Sequence, residues 1–196
     1  MARDNGNSTG DSRELTGFTA EIYEWLEAIA FALAIVVLLF TFVFRVVGVS
    51  GGSMENTLFN GDRLLVNSLF YKPEHGDVVI VVTDNKYVEG PIVKRVIGVA
   101  GDKIEYDAST GVVTVNGEQL DETAYIDEQN RGGASSSFDG VDSITVPEGY
   151  VFIMGDNRLV SFDSRDKRLG AVKEDDILGE VIFRIYPFGS VGKLRG

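Results

Sequence analysis

Apolar and polar positions fall into two regimes along this 196-residue chain. From Ala28 to Phe44 run 17 residues without a charge, Thr41 alone being polar. As a helix rising 1.5 Å per residue this run is about 26 Å long, near the ~30 Å hydrocarbon core of a bilayer. It lacks the polar stripe of a helix packed on a soluble core, the alternative reading. Trp25 suits one membrane interface, and Arg45 can reach back to water at the other. Ala30-Phe31-Ala32 has the small-x-small pattern of a signal-peptide cleavage site, but it lies inside the run rather than after it. A retained anchor is therefore expected over 18–47, capped by Thr19 with Glu21 and Glu24 near its positive end. The polar segment 1–17 is expected to be a disordered tail. Within it Asn7-Ser8-Thr9 matches a glycosylation sequon, a weak signal.

After Val46 the pattern changes to short β-type runs at 63–67, 77–82, 92–99, 103–106, 112–115, 150–154 and 181–186. Turns such as Asn60-Gly61-Asp62 and Ala100-Gly101-Asp102 separate them, and Asn116-Gly117 predicts a tight hairpin. No helical run of comparable strength follows the anchor. The expected fold is mainly β: an N-terminal transmembrane helix, then a coiled antiparallel sheet domain over 48–104 and 149–196. A small β insert is expected over 105–148, including an exposed loop at 127–143 that is poor in large apolar groups. Phe59 and Leu69-Phe70-Tyr71 read either as β core or as residues that dip into a membrane interface.

The net charge of −12 argues against nucleic-acid binding, which needs clustered Lys and Arg. The absence of cysteine removes disulfides, thiolate catalysis and cysteine zinc sites. No calcium-loop spacing is present, and no metal or cofactor is expected. His75, the single histidine, lies in a turn-like stretch, Lys72-Pro73-Glu74-His75-Gly76-Asp77, and reads as an exposed turn residue.

A hydrolase built from this composition must activate a hydroxyl without thiol or histidine. A lysine does so when burial disfavours its ammonium form and brings its pKa to ~7–8. Lys94 sits inside the apolar run Ile92-Val93-Lys94-Arg95-Val96-Ile97, sharing a strand face with Ile92 and Val96. Its ordinary reading is a solvated edge lysine. Ser53 follows Gly51-Gly52, whose backbone permits close approach of a substrate and whose N–H groups suit an oxyanion hole, although such glycines also occur in plain turns. Each is weak alone.

In order, the chain carries Ser53-Met54 with Thr57-Leu58, Gly61-Asp62, Lys94-Arg95-Val96-Ile97-Gly98 with Gly101-Asp102, and Gly155-Asp156-Asn157-Arg158 with Ser161, Asp163-Ser164-Arg165 and Gly170. This series closely resembles the type I signal peptidases, from the anchor to about Pro187. The resemblance implies that Ser53 is the nucleophile, that Lys94 is the general base, and that Ser161 hydrogen-bonds and orients the lysine. It implies that Asp156, Asp163, Arg95 and Arg165 brace the site as ion pairs. Val49, Met54, Leu58, Ile92 and Val93 match positions near pockets for small side chains at −1 and −3 before the cut.

Three departures from the relatives' pattern stand out. Asn56 stands where many relatives have Pro, and Gly51 stands where one branch has a serine that helps the oxyanion hole. Gly51, one anchor and a short insert resemble the Gram-positive branch. Leu159-Val160 stand where relatives often carry polar residues. The implied protein is a monomeric, single-pass membrane serine endopeptidase that cuts signal peptides from exported preproteins. Its N-terminus is cytoplasmic and its catalytic domain is on the extracellular face. The alternatives are a soluble self-cleaving serine-lysine protease, against which the anchor argues, and a non-catalytic anchored β domain that binds partners.

Overall fold

The computed structural model describes residues 11–131 and 143–194. The chain divides into two compact units, Met1–Val43 and Phe44–Gly196.

In the first unit α1 spans Asp11–Phe42. Within it Thr19–Thr41 is one helix segment of 23 residues, long and apolar enough to cross a membrane by length and composition. Its large side chains, including Trp25 and Leu33, are exposed. The helix corrects the expected boundaries at both ends. It begins at Asp11, inside the segment expected to be disordered, and Thr19 lies within it rather than at its cap. Once a helix is nucleated, each added residue gains a backbone hydrogen bond, so polar residues of adequate propensity extend it. Residues 1–10 and the sequon lie outside the described residues. At the other end the expected anchor to residue 47 is too long, because Phe44–Gly48 is already strand β1.

Among the described residues the second unit holds eleven strands. β2 spans Arg63–Asn67, β3 Val78–Val81 and β4 Ile92–Gly98. β5 spans Lys103–Tyr106, β6 Val113–Val115, β7 Glu118–Gln119 and β8 Ser143–Thr145. β9 spans Tyr150–Met154, β10 Val172–Lys173 and β11 Ile177–Tyr186. Seven strands form an antiparallel sheet in the order β1-β2-β11-β3-β4-β9-β10. Register shifts in β11 against β2 and β3, and between β4 and β9, bend it, so the sheet curls.

The other four strands form a small sheet, β7-β6-β5-β8, over 103–145. Asn116 and Gly117 make the β6–β7 turn with φ of 54° and 87°, the positive values this hairpin class requires. Much of the loop expected at 127–143 lies outside the described residues.

The core explains why β3 is a continuous apolar run rather than an alternating one. Val78 and Ile80 pack with Val49, Met54, Leu58, Leu64, Val66 and Val181. Val79 and Val81 pack on the opposite face with Val96, Val151, Ile153 and Val172. A strand covered on both faces has no solvated side to mark with polar residues. A third cluster joins Ile97, Phe152 and Met154 of the large sheet to Ile104 and Val113 of the small one. Phe70 is fully exposed, whereas Tyr71 packs against the core and its hydroxyl donates to Asp77 Oδ2 at 2.6 Å.

Candidate active site

The β1–β2 connection carries Ser53. Its ends are held together where the Val49 N–H donates to the Asp62 carbonyl at 2.8 Å and the Gly61 N–H donates to the Val49 carbonyl at 3.0 Å. Met54 and Leu58 anchor the loop in the core, and the N–H groups of Thr57 and Leu58 both donate to the Met54 carbonyl. Gly51 has φ +90°, a left-handed backbone that a serine there would adopt only under strain. Among the described residues the Ser53 N–H makes no hydrogen bond, so it is free to point at a ligand.

Lys94 comes from β4, where β3 pairs Val79 opposite it. Strand alternation puts its stem on the face of the Val79–Val96 core, and only 3% of the residue is exposed. Its Nζ donates to Ser53 Oγ at 2.8 Å and to the Val93 carbonyl at 3.0 Å. Burial pushes the amine pKa down to about 8, while Asp163 and Asp156 oppose the shift and Arg165 supports it. The reading of Lys94 as a solvated edge lysine does not hold.

Each carboxylate near the amine is matched by a guanidinium. Arg95, on the other face of β4, grips Asp156 through Nε at 2.9 Å and Nη2 at 2.8 Å, both side chains fully buried. Arg165 grips Asp163 through Nε at 2.8 Å and Nη2 at 2.9 Å. Burial pushes the Asp163 carboxyl up, but Arg165 and neighbouring donors outweigh it and hold the carboxyl below the usual range. Paired in this way, the two aspartates exert less pull toward a charged lysine than they would alone.

The segment after β9 locks the loop that carries Ser53. The Asn157 N–H donates to the Ser53 carbonyl at 3.0 Å, and Thr57 Oγ1 donates to Asp156 Oδ2. Gly155 leaves no room for a side chain: a Cβ there would lie 2.4 Å from the Ser53 carbonyl oxygen and 2.3 Å from Ser161 Oγ.

Ser161 is buried beside this group, yet it makes no hydrogen bond to Lys94. The amine directs its bonds to Ser53 and the Val93 carbonyl, which corrects the expected Ser161–Lys94 contact. The hydroxyl falls short of hydrogen-bond geometry with every described group.

Two lobes open beside Ser53 and Lys94. The smaller, about 190 Å³, is lined by Val49, Met54, Ile92 and Val93 among others. The wider, about 390 Å³, extends to Tyr87, Val88, Val160 and Phe162. Leu58, expected near the pockets, is fully buried in the core and lines neither, since its place in the turn directs it inward. A separate pocket of about 330 Å³ beside Asn56, Tyr125 and Arg184 contains neither Ser53 nor Lys94.

Several bracing residues escape a reading of the sequence. Arg158 Nη1 donates to Glu122 Oε2 at 3.2 Å, its Nη2 pairs with Glu122 Oε1, and its Nε holds the Gly155 carbonyl at 3.0 Å. The Tyr125 ring lies 3.9 Å from the Arg95 guanidinium. Arg184 of β11 donates to the Thr57 carbonyl and to Asp62. Glu122 sits among ordinary surface-type residues in sequence, and only its buried arginine partner distinguishes it. His75 is a half-exposed turn residue whose Nε2 meets Asp102 Oδ2 at 2.7 Å. Among the described residues no group of three or more His, Asp or Glu is placed to hold a metal ion.

Residues 22–186 match the family model described as signal peptidase, peptidase S26. The chain is 36% identical over 182 residues to signal peptidase IB of Staphylococcus aureus strain COL, covering 86% of this chain and 91% of that protein. It is 35% identical over 179 residues to signal peptidase I of Bacillus licheniformis, covering 88% and 92% respectively. A solved signal peptidase I from Enterococcus faecalis aligns at 30% identity with a TM-score of 0.44, covering 57% of this chain and 97% of that one.

Proposed function

The chain belongs to the signal peptidase family, peptidase S26, and we propose that it cuts exported preproteins with Ser53 as nucleophile and Lys94 as general base, tethered to a membrane by α1. The observation that carries this reading is the 2.8 Å contact between Ser53 Oγ and a buried amine whose pKa lies at about 8. When Lys94 loses its proton the same contact reverses: the hydroxyl donates to the amine lone pair. Oγ then attacks the scissile carbonyl as Nζ takes its proton. The oxyanion is held by the Ser53 N–H. Collapse breaks the C–N bond, and Nζ returns the proton to the leaving amine. A water activated by neutral Lys94 attacks the acyl-serine and releases the signal peptide's new carboxylate.

The small lobe, lined by Val49, Met54, Ile92 and Val93, supports acceptance of a small side chain at −1. Both reacting groups lie on one chain, which supports action as a monomer. Membrane tethering places the enzyme where the apolar core of a signal peptide resides and raises effective concentration. The orientation that suits this task has the N-terminus cytoplasmic and the β domain on the extracellular face. A non-catalytic binding domain gains nothing from a buried amine, which costs stability at neutral pH.

The test is cleavage of a preprotein with Ala at −3 and −1 by detergent-solubilised protein. Ser53→Ala and Lys94→Ala each abolish cleavage while thermal unfolding stays cooperative. Normal cleavage by either variant rules out the dyad.

A further inference from the structure

The two lobes of the cleft differ in character, and the wider one carries a feature of this chain that core packing does not explain. Leu159 and Val160 stand between the polar residues Arg158 and Ser161, and they are 46% and 63% exposed. Neither joins a hydrophobic core cluster. Val160 instead lines the wider lobe, facing a space it shares with Tyr87, Val88 and Phe162.

This apolar wall is held from behind. The Arg168 guanidinium lies 5.2 Å from the centre of the Phe162 ring and 5.5 Å from that of Tyr87. Asp166 fixes that guanidinium through Nη2 at 2.6 Å and Nε at 2.9 Å. Asn85 Nδ2 donates to the Arg168 carbonyl at 2.8 Å, and Asn85 Oδ1 accepts the Tyr87 N–H at 3.0 Å. The loop bearing Tyr87 and Val88 is thereby tied to the segment bearing Val160 and Phe162. A preorganised apolar surface of this kind binds a side chain without first having to order its own walls.

We infer that the wider lobe is a subsite for an apolar side chain within the first two residues after the scissile bond. The inference rests on the Ser53–Lys94 reading above. In that reading the acyl half of the substrate fills the small lobe. Lys94 must hand its proton to the departing amine, so the leaving chain passes Lys94 and runs into the space that remains. That space is the wider lobe, which Ser53 and Lys94 both line. Glu89 lines it too, and its carboxylate disfavours an acidic occupant. Val160 is then a specificity-determining residue.

The experiment uses the full-length protein in detergent and one set of peptides with Ala at −3 and −1. Leu, Ala or Asn is placed in turn at −2, +1 and +2, and kcat/KM is measured for each. Wild type favours Leu over Asn at +1 or +2 by about tenfold, the usual scale for an apolar pocket choosing among side chains. Val160→Asn brings that ratio to about twofold or less, and so does Tyr87→Ser; both residues are exposed, so the fold survives. Equal rates for Leu and Asn at +1 and +2, or a preference at −2 alone, overturn the subsite while cleavage itself leaves the dyad standing. Failure of wild type to cut any peptide overturns both.

Discussion

Gly155 and Ser53 lie back to back: the position a Cβ would take on Gly155 is 2.4 Å from the Ser53 carbonyl oxygen. That oxygen also accepts the Asn157 N–H at 3.0 Å, so the loop after β9 sets where Ser53 stands. Backbone on one side and the Ser161 hydroxyl on the other leave an alanine nowhere to go. Gly155→Ala is expected to lower kcat/KM by ~100-fold or more, since misplacing a reacting group by about an ångström has that effect. Preprotein cleavage measures this, and near-wild-type activity of a folded Gly155→Ala protein contradicts the arrangement.

The pH–rate profile follows from the amine. In the proposed dyad Lys94 must be neutral to act as base, and its pKa lies at about 8. The rate constant kcat/KM is expected to rise with pH and level off above about 8. Lys94→Arg is inactive across the range, because a guanidinium stays charged.

Arg165 offers a sharper electrostatic test. It neutralises Asp163 and itself lowers the Lys94 pKa. In Arg165→Gln the unpaired Asp163 favours the ammonium form. The acid limb of the profile moves to higher pH, a change that a purely structural role does not produce. A profile that stays in place in a folded Arg165→Gln protein shows the pair to be electrostatically idle.

Stability carries the same signature. The folded pKa of Lys94, about 8, lies below its ordinary 10.5. Between these values the unfolded chain binds more protons, so this group makes stability rise with pH through that window. Below about 8 the cost of burying the cation is fully present. Lys94→Met is expected to be more stable than wild type at pH 7 by on the order of 1–3 kcal/mol. The gain shrinks as pH rises toward 10.5. Denaturant unfolding at pH 7 and pH 9 measures both.

The boundary after α1 predicts where the chain can be cut. β1 begins at Phe44 and pairs with β2 from Phe44↔Asn67 to Gly48↔Arg63. A protein starting at residue 44 is expected to fold without detergent, whereas one starting at 49 loses an edge strand and exposes β2. Thermal unfolding of the two is expected to differ by several degrees or more.

What the sequence determined on its own was local. The uncharged run before Arg45 is long and apolar enough to cross a membrane, and Asn116-Gly117 specifies a hairpin because its two residues tolerate positive φ. The motif order also named Ser53, Lys94, Asp156 and Asp163 as a group, and the fold brings them together. What only the tertiary structure decided was which side chains lose water and which partners replace it. Val79 across the ladder and the face of β4 make Lys94 a buried amine; its own sequence is equally that of an edge lysine. Leu58 turned inward and Ser161 stayed off the lysine, because side-chain direction in a closed loop depends on packing from distant strands. Glu122 became a buried partner of Arg158 across 36 residues of chain, a pairing without local periodicity to announce it. Desolvation and pairing are properties of contacts between segments remote in sequence, and they exist only once the sheets have closed around them.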